Sequence, residues 1–310
     1  MFEAGVAAKE QRIAGGDPVL DALYLAPCRV VRPAAQAAPF VFASPHSGRL
    51  YPPSFVARSR LSATALRRSE DAFVDAIFST AVELGAPLIA AEFPRAYLDV
   101  NRAPAELDPA MFAGPLPFPV DATSPRVNAG LGAIPKLVRD GAEIYRERLP
   151  AAEAARRLDG LYRPYHAMLM ALVEETRARF GTAIVVDCHS MPSAAAVPDV
   201  VLGDRYGMSA APVFVRAAER ALEAQGFSVA RNVPYAGGYT TIVHGRPARG
   251  VQAIQIEINR SLYLDEETIE PSARFGEIRT RIGDALRHLM AAEAARLSDM
   301  FRRPEAHAAE

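Results

Sequence analysis

The sequence has few cysteines and no long hydrophobic run, and each shortage excludes a class of protein. Cys28 and Cys188 are the only two cysteines among 310 residues. Two cannot form a disulfide framework, so the composition suits a reducing compartment. No stretch approaches the roughly 18–20 uninterrupted apolar residues that cross a bilayer, and the first residues lack an apolar run of signal-peptide length. We therefore expect a cytoplasmic protein with no membrane partner.

The sequence also has almost no net charge. Lys and Arg number 35 against 36 Asp and Glu, which gives a formal net charge of -1 at pH 7. Nucleic-acid binding requires a basic excess or a basic stripe that neutralises phosphates. We therefore do not expect nucleic acid as the main partner, and any basic site should be local and fitted to a small anion.

The sequence does contain short apolar runs that alternate with helical patterns. This alternation predicts an α/β fold, a three-layer sandwich in which helices cover both faces of a mixed, largely parallel sheet. In such sheets, ligands bind where the strands end. We expect one domain over residues 1–310, with its core over about 38–290. The predicted strands cover 39–43, 87–91, 96–100, 183–186, 199–202 and 251–258, and the predicted helices cover 71–84, 151–180 with a break at Pro164, 208–225 and 266–296.

One long segment breaks this alternation. Residues from about 103 to 135 are rich in Pro, Gly and Ala, and so many prolines exclude a regular helix or a central strand. Long irregular segments in compact domains usually carry function. We interpret this proline-rich excursion as a segment that folds over a site.

Two histidines follow predicted strands and are candidate metal ligands. His46 lies in SPHSG and His189 in DCHS, and each alone is equally consistent with a turn or core histidine. Together, at the ends of two buried strands, they favour a zinc site, which commonly has three protein ligands. The third ligand would be a carboxylate from the pair Glu70 and Asp71, one of which can instead cap the helix that follows.

The neighbours of His189 have other predicted roles. Cys188 should point to the opposite face and belong to the core. Asp187 is a candidate to orient a metal-binding histidine through a hydrogen bond to its other ring nitrogen. No GxSxG motif surrounds Ser190, which disfavours a serine hydrolase.

Glu257 is the most informative single residue. In VQAIQIEIN, the isoleucines share one face of the predicted strand, and Gln255, Glu257 and Asn259 share the other. A carboxylate within such a strand is costly unless it is paired or functional. It could accept a proton from water at a metal site, or it could form a buried salt bridge with Arg260 or another arginine.

Basic and polar residues at the predicted strand ends could bind an anion. Guanidinium groups bind carboxylates in a two-pronged fashion. Glycines in GGYTT could let the backbone approach a ligand, although this segment could equally be a plain turn. The candidate substrate-binding residues are Arg95, Asn101, Arg102, Tyr239, His244 and Arg260.

These segments, taken in order, resemble a known family. SPHSG, SEDAFVD, FPRAYLDVNR, DCHSMP, GGYTT with HGRP, and IQIEINR are similar to motifs of the N-formylglutamate amidohydrolase family, over about residues 38–290. Each motif alone is weak, whereas the ordered set is specific. The resemblance implies a zinc-carboxypeptidase-like fold and zinc-dependent hydrolysis of N-formyl-L-glutamate to formate and L-glutamate.

The resemblance also implies roles for individual residues. His46 and His189 would bind zinc, or another divalent ion in its place, with Asp71 as the favoured acidic ligand and Glu70 as the alternative. Glu257 would be the catalytic glutamate. The partner would be a small acidic amino-acid derivative, with Asn101 and Arg102 matching a pair that holds a substrate carboxylate. Two alternatives remain open: a related deacylase for another N-formyl or N-acyl amino acid, and a non-catalytic small-anion-binding protein.

Overall fold

The computed structural model describes residues 16–138, 141–194 and 197–302. Its centre is a seven-stranded sheet with the strand order β1-β3-β2-β6-β9-β7-β8. Strands β3, β2, β6 and β9 run parallel, β1 and β7 are antiparallel to β3 and β9, and β8 is parallel to β7. These strands are β1 (Cys28–Val31), β2 (Phe40–Ser44), β3 (Leu88–Ala91), β6 (Ala183–Met191), β7 (Val200–Gly203), β8 (Val229–Arg231) and β9 (Val251–Asn259).

Two short strand pairs and eleven α-helices accompany the sheet in the described part of the chain. Strand β4 (Phe112–Ala113) pairs with β5 (Leu149–Pro150), and β10 (Leu264–Asp265) pairs with β11 (Glu270–Pro271). None of the helices in the described ranges is long and apolar enough to span a bilayer. The helices are α1 (Pro18–Leu25), α2 (Pro53–Arg58), α3 (Ala63–Arg67), α4 (Val74–Ile77), α5 (Thr80–Glu83), α6 (Pro125–Asn128), α7 (Ala151–Arg157), α8 (Arg163–Phe180), α9 (Pro212–Glu223), α10 (Tyr239–His244) and α11 (Phe275–Arg302).

Apolar side chains cover both faces of the sheet. Successive strand residues point to opposite faces, so Phe40 and Phe42 of β2 pack with residues of α9 and α11. Val41 and Ala43 pack on the other face with residues of α8. Every residue of β6 and β9 is buried. The predicted α/β class, three layers and mixed, mostly parallel sheet are confirmed.

The strand predicted over 96–100 is wrong. These residues form a turn instead, because the backbone amides of Tyr97 and Leu98 both donate to the carbonyl oxygen of Pro94, at 2.9 and 3.2 Å. The apolar run reflects burial in an irregular segment and not pairing in the sheet. The prediction also missed β1 and β8, the two edge strands, which are short and only partly buried.

The predicted helices lie in the right regions, but the one predicted over 266–296 begins only at Phe275, because residues 270–271 form β11. The helix predicted over 71–84 is divided into α4 and α5. The predicted break at Pro164 is instead a π-helical turn, Leu158–Tyr162, that connects α7 to α8. Proline has no backbone N–H to donate within a helix, and the wider π-helical turn tolerates that missing hydrogen bond. The helix therefore continues past Pro164.

The proline-rich excursion is fastened beside the carboxyl ends of the strands. The backbone amide of Asp99 donates to the carbonyl oxygen of Ala133 at 2.8 Å, and the amide of Ala133 donates to the carbonyl oxygen of Glu106 at 2.8 Å. Leu131 and Pro135 of the excursion line the cavity described below. The excursion thus forms part of the wall of that cavity.

Candidate active site

Polar side chains of two central strands face the same side of the sheet. In the register of β6 and β9, Asp187 lies opposite Gln255, and His189 lies opposite Glu257. Residues two positions apart share a face of a strand, so these four side chains lie together on one face of the sheet. His46 follows the end of β2, the strand on the other side of β6.

The loop that carries His46 depends on a close backbone contact. A Cβ atom added to Gly48 would lie 2.1 Å from the carbonyl oxygen of Phe93, so only glycine fits there. The carbonyl oxygen of His46 accepts a hydrogen bond from the amide of Asp71 at 3.0 Å. Through these contacts, the SPHSG loop brings His46 and Asp71 to the same place.

His46, Asp71 and His189 converge on one point. The Nδ1 atoms of His46 and His189 lie 3.2 and 2.8 Å from Oδ2 of Asp71. All three side chains are buried, and one candidate ligand atom from each lies within 4.8 Å of the others. Two imidazole nitrogens and a carboxylate oxygen are a donor set that zinc commonly takes in catalytic sites. These residues form a candidate metal site.

The second ring nitrogen of each histidine contacts another carboxylate. Nε2 of His46 lies 2.7 Å from Oδ1 of Asp99, and Nε2 of His189 lies 3.0 Å from Oδ2 of Asp187. Histidines that bind metals almost always have such a partner, which fixes the ring orientation and the tautomer. Both Nδ1 atoms are thereby directed toward the shared centre, which fits a metal ion.

The charges around the candidate metal site stabilise the ionised forms of Asp71 and His189. Burial by itself would raise the pKa of Asp71, but hydrogen bonds with His189 and His46 hold it well below its ordinary value. Burial would lower the pKa of His189, but the carboxylate of Asp187 and a hydrogen bond to Asp71 raise it. A metal ion that binds Nδ1 of His189 would therefore have to displace a proton from it.

Glu257 lies beside this group without belonging to it. Among the described residues it has one hydrogen-bond partner, Gln255, whose Nε2 donates to Oε1 at 2.7 Å. Burial raises the pKa of Glu257 to about 7, with Asp71 and Asp187 contributing in the same direction and His189 and Arg95 opposing it. A carboxyl group with this pKa can exchange protons near neutral pH.

A cavity of about 430 Å³ opens onto these residues. Its lining includes the two histidines of the candidate metal site, Glu257 and four arginines. A cavity of this size accommodates a small molecule. Among the residues that line it are His46, Arg95, Asp99, Asn101, Arg102, Arg126, His189, Ser190, Gln255, Glu257 and Arg260.

Comparison with known proteins identifies the family. The sequence model of the N-formylglutamate amidohydrolase family matches residues 38–264. The chain belongs to this family. It is 31% identical over 205 residues to an N-formylglutamate deformylase of Pseudomonas putida, covering 63% of this chain and 71% of that protein. It is 30% identical over 238 residues to an N-formylglutamate deformylase of Pseudomonas aeruginosa PAO1, covering 74% and 83%.

Solved structures agree with this membership. The crystal structure of N-formylglutamate amidohydrolase from Ralstonia eutropha JMP134 superposes with a TM-score of 0.81 at 38% identity, over 88% of this chain and 99% of that chain. The Agrobacterium tumefaciens gene product Atu2144 superposes with a TM-score of 0.65 at 21% identity, over 89% and 96%, and shares the fold. The family resemblance predicted from the motifs is confirmed.

The structure separates the two candidate acidic ligands. Asp71 contacts both histidines, whereas Glu70 forms a salt bridge with Arg67 at 3.1 Å. Burial raises the pKa of Glu70, and hydrogen bonds with Arg67 and Tyr51 oppose that rise. Of the two adjacent carboxylates, only Asp71 therefore faces the candidate metal site.

The predicted substrate-binding residues are distributed unequally. Four of them, Arg95, Asn101, Arg102 and Arg260, line the cavity. Tyr239 and His244 are not among the lining residues that the structure describes; the Tyr239 ring packs on Tyr162 and His166, and His244 is buried in α10.

Arg260 and Asn101 also contact two aspartates of the site. Arg260 Nη2 donates to Oδ1 of Asp71 at 2.9 Å, so the suggested salt bridge with Glu257 is replaced by one with Asp71. Asn101 Nδ2 donates to Asp187 at 3.1 Å, and its Oδ1 accepts from the amide of Thr240 at 2.8 Å. A Cβ atom on Gly238 would lie 2.4 Å from the Asn101 amide, which explains one glycine of GGYTT.

Sequence reasoning did not single out Asp99, although its position offers a signal. Asp99 contacts His46, and it accepts a hydrogen bond from Nε of Arg95 at 3.0 Å. It lies between Arg95, predicted to bind substrate, and the Asn101–Arg102 pair in FPRAYLDVNR. A carboxylate in that interval, two residues before Asn101, is the signal that could have identified it.

Proposed function

We propose that this protein is a zinc-dependent amidohydrolase that cleaves the formyl amide of N-formyl-L-glutamate to give formate and L-glutamate. The observation that carries the proposal is the convergence of His46, Asp71 and His189 next to a cavity that Glu257 and four arginines line. Family membership supports amide hydrolysis.

His46, Asp71 and His189 would hold the zinc ion, and Asp99 and Asp187 would orient the two imidazoles. Zinc bound there would supply Lewis acidity, which polarises a carbonyl oxygen and makes water easier to deprotonate. Arg260 binds the second oxygen of Asp71 at 2.9 Å and thereby directs Oδ2 toward the histidines. The protein thus fixes the geometry of the ligands in advance of ion binding.

Glu257 would transfer the protons. It accepts one from the water that attacks the formyl carbon, and it returns one to the amine of the departing glutamate. Its hydrogen bond from Gln255 fixes one carboxylate oxygen and leaves the other, Oε2, available for this exchange. A pKa of about 7 allows both directions of transfer near neutral pH.

The arginines would select an anionic substrate. Arg95 and Arg102 line the cavity close to the candidate metal site, and both interact with Asp99. Several cations in one small cavity favour a ligand with more than one negative charge. N-formylglutamate carries two carboxylates, so its charge suits this cavity.

The direct test measures formate release from N-formyl-L-glutamate. The protein is assayed as purified, after treatment with a chelator, and after addition of one equivalent of zinc. We expect the chelator to abolish activity and zinc to restore it. Formate release that persists at full rate in metal-free protein would refute the zinc-dependent mechanism.

A substrate panel distinguishes the proposed reaction from that of a related deacylase. Values of kcat/KM are compared for the N-formyl and N-acetyl derivatives of glutamate, aspartate and glutamine. We expect N-formyl-L-glutamate to be the best substrate. A higher value for an N-acetyl amino acid would assign the protein to a different deacylation, and binding without turnover of any compound would indicate an anion-binding protein.

A further inference from the structure

One arginine of the cavity has no partner in the described part of the protein. Arg126, in α6 of the proline-rich excursion, lines the cavity and has an exposed side chain. Its backbone amide donates to Oγ of Ser124 at 3.1 Å. Within the described ranges, no carboxylate or carbonyl group pairs with its guanidinium. Arg126 therefore has its full hydrogen-bonding capacity available for a ligand.

Arg95 and Arg102 also line the cavity, but both already have protein partners. Arg95 donates to Asp99 at 3.0 Å. Arg102 donates from Nε to the carbonyl oxygen of Leu131 at 3.1 Å and from Nη1 to that of Asn101 at 3.0 Å. Their remaining N–H groups can still bind a ligand, but Arg126 differs because no described residue neutralises its charge.

Arg102 is connected to the other two arginines. It shares Asp99 with Arg95, at 3.9 and 3.0 Å, and it donates to the carbonyl oxygen of Leu131, whose amide donates to that of Arg126 at 2.8 Å. Arg95 interacts electrostatically with Asp71 and Glu257. Burial lowers the pKa of Arg102, and repulsion from Arg95 and Arg126 lowers it further against the attraction of Asp99. The positive charges of Arg95 and Arg126 thus both repel Arg102, and Arg126 is the exposed member of the three. Such repulsion is relieved when an anion binds between the cations.

The segment that carries Arg126 is held in place. Ser124 accepts the Arg126 amide at the start of α6, and its hydroxyl donates to the side chain of Glu106. The carbonyl oxygen of Glu106 accepts from the amide of Ala133, whose own carbonyl binds the amide of Asp99. This chain of bonds links Arg126 to the segment that supports His46.

We propose that Arg126 binds the side-chain carboxylate of the substrate and thereby sets the preference for an acidic over a neutral side chain. The inference rests on the proposed function, since it assumes that the formyl group reaches the metal site and Glu257. With the formyl group there, the far end of the substrate would extend past Arg95 and Arg102 toward Arg126.

The test compares zinc-loaded wild-type protein with Arg126→Gln on two substrates of equal size, N-formyl-L-glutamate and N-formyl-L-glutamine. We expect the variant to lower kcat/KM for the glutamate compound about tenfold or more, mainly through KM. A tenfold change corresponds to about 1.4 kcal/mol. The value for the glutamine compound should change less than about threefold, because the lost charge has no counterpart there.

Two further variants serve as controls. Arg126→Lys keeps the charge and should restore part of the preference, although lysine lacks the two-pronged geometry. Arg148→Gln removes the same charge from an exposed position outside the cavity and should leave the ratio of the two substrates unchanged. Rising salt should weaken the acid preference of the wild-type protein and have little effect on Arg126→Gln.

The inference is overturned if Arg126→Gln lowers both substrates equally or leaves their ratio unchanged. Calorimetry separates this failure from failure of the proposed reaction. The two compounds are titrated into the zinc-loaded Glu257→Gln protein with and without Arg126→Gln. A binding preference for the acid that Arg126→Gln removes supports the inference even if the wild-type protein releases no formate; absence of that preference in the Glu257→Gln protein with Arg126 intact refutes it.

Discussion

Replacing Glu257 with glutamine should separate the effect of this buried carboxylate on stability from its effect on the catalytic rate. The substitution keeps the shape of the side chain, and the glutamine carbonyl oxygen can still accept the 2.7 Å hydrogen bond from Gln255. It removes the proton-accepting carboxylate. We therefore expect kcat for formate release to fall about 10²- to 10⁴-fold, the usual contribution of a general base, while zinc content remains stoichiometric.

The same substitution should stabilise the metal-free protein. Burial raises the pKa of Glu257 from 4.5 to about 7, so the folded state holds this proton more tightly than the unfolded state. The free energy of unfolding of the wild-type protein therefore falls as the pH rises from 4.5 to about 7. The rise in pKa corresponds to about 3 kcal/mol at pH 8 and to about 1 kcal/mol at pH 5. Glu257→Gln should be more stable by these amounts.

Urea denaturation of the two chelator-treated proteins at pH 5 and pH 8 measures this difference, and formate assays of the zinc-loaded proteins measure activity. Glu147→Gln, a change of an exposed carboxylate, is the control and should alter neither quantity. Near-normal turnover of Glu257→Gln would refute its proposed role. A stability difference that does not grow between pH 5 and pH 8 would refute the raised pKa of Glu257 in the folded state.

Four other substitutions test the site and the core. Asp71→Ala should eliminate stoichiometric zinc and formate release, whereas Glu70→Gln should keep zinc, as measured by elemental analysis; equal zinc content would contradict the choice of Asp71. Asp187→Asn should weaken zinc affinity about 10- to 100-fold in a chelator competition, because His189 loses its orienting carboxylate, and an unchanged affinity would argue against that contact. Phe214→Ala should lower the free energy of unfolding by about 3–5 kcal/mol, since the ring is fully buried 6.2 Å from that of Phe40. A loss below about 1 kcal/mol in urea denaturation would contradict that packing.

The sequence by itself determined the fold class and most of the residues at the site. Apolar strands such as 183–186 could only be buried between layers, and the polar residues that follow them had to gather at one edge of a parallel sheet. The alternation of residue types within β9 is enough to place Glu257 on the face opposite its isoleucine neighbours. Strand burial and the face on which a side chain lies depend on neighbouring residues, so both can be predicted from the periodicity of the sequence.

Only the tertiary structure decided which partners each side chain finds. Glu70 and Asp71 are adjacent in sequence, but the position of His189, more than a hundred residues away, determines that Asp71 faces the histidines. The segment 96–100 resembles a strand, yet its contacts hold it in a turn that directs Asp99 toward His46. Convergence of this kind depends on long-range packing, and a one-dimensional pattern does not contain those distances.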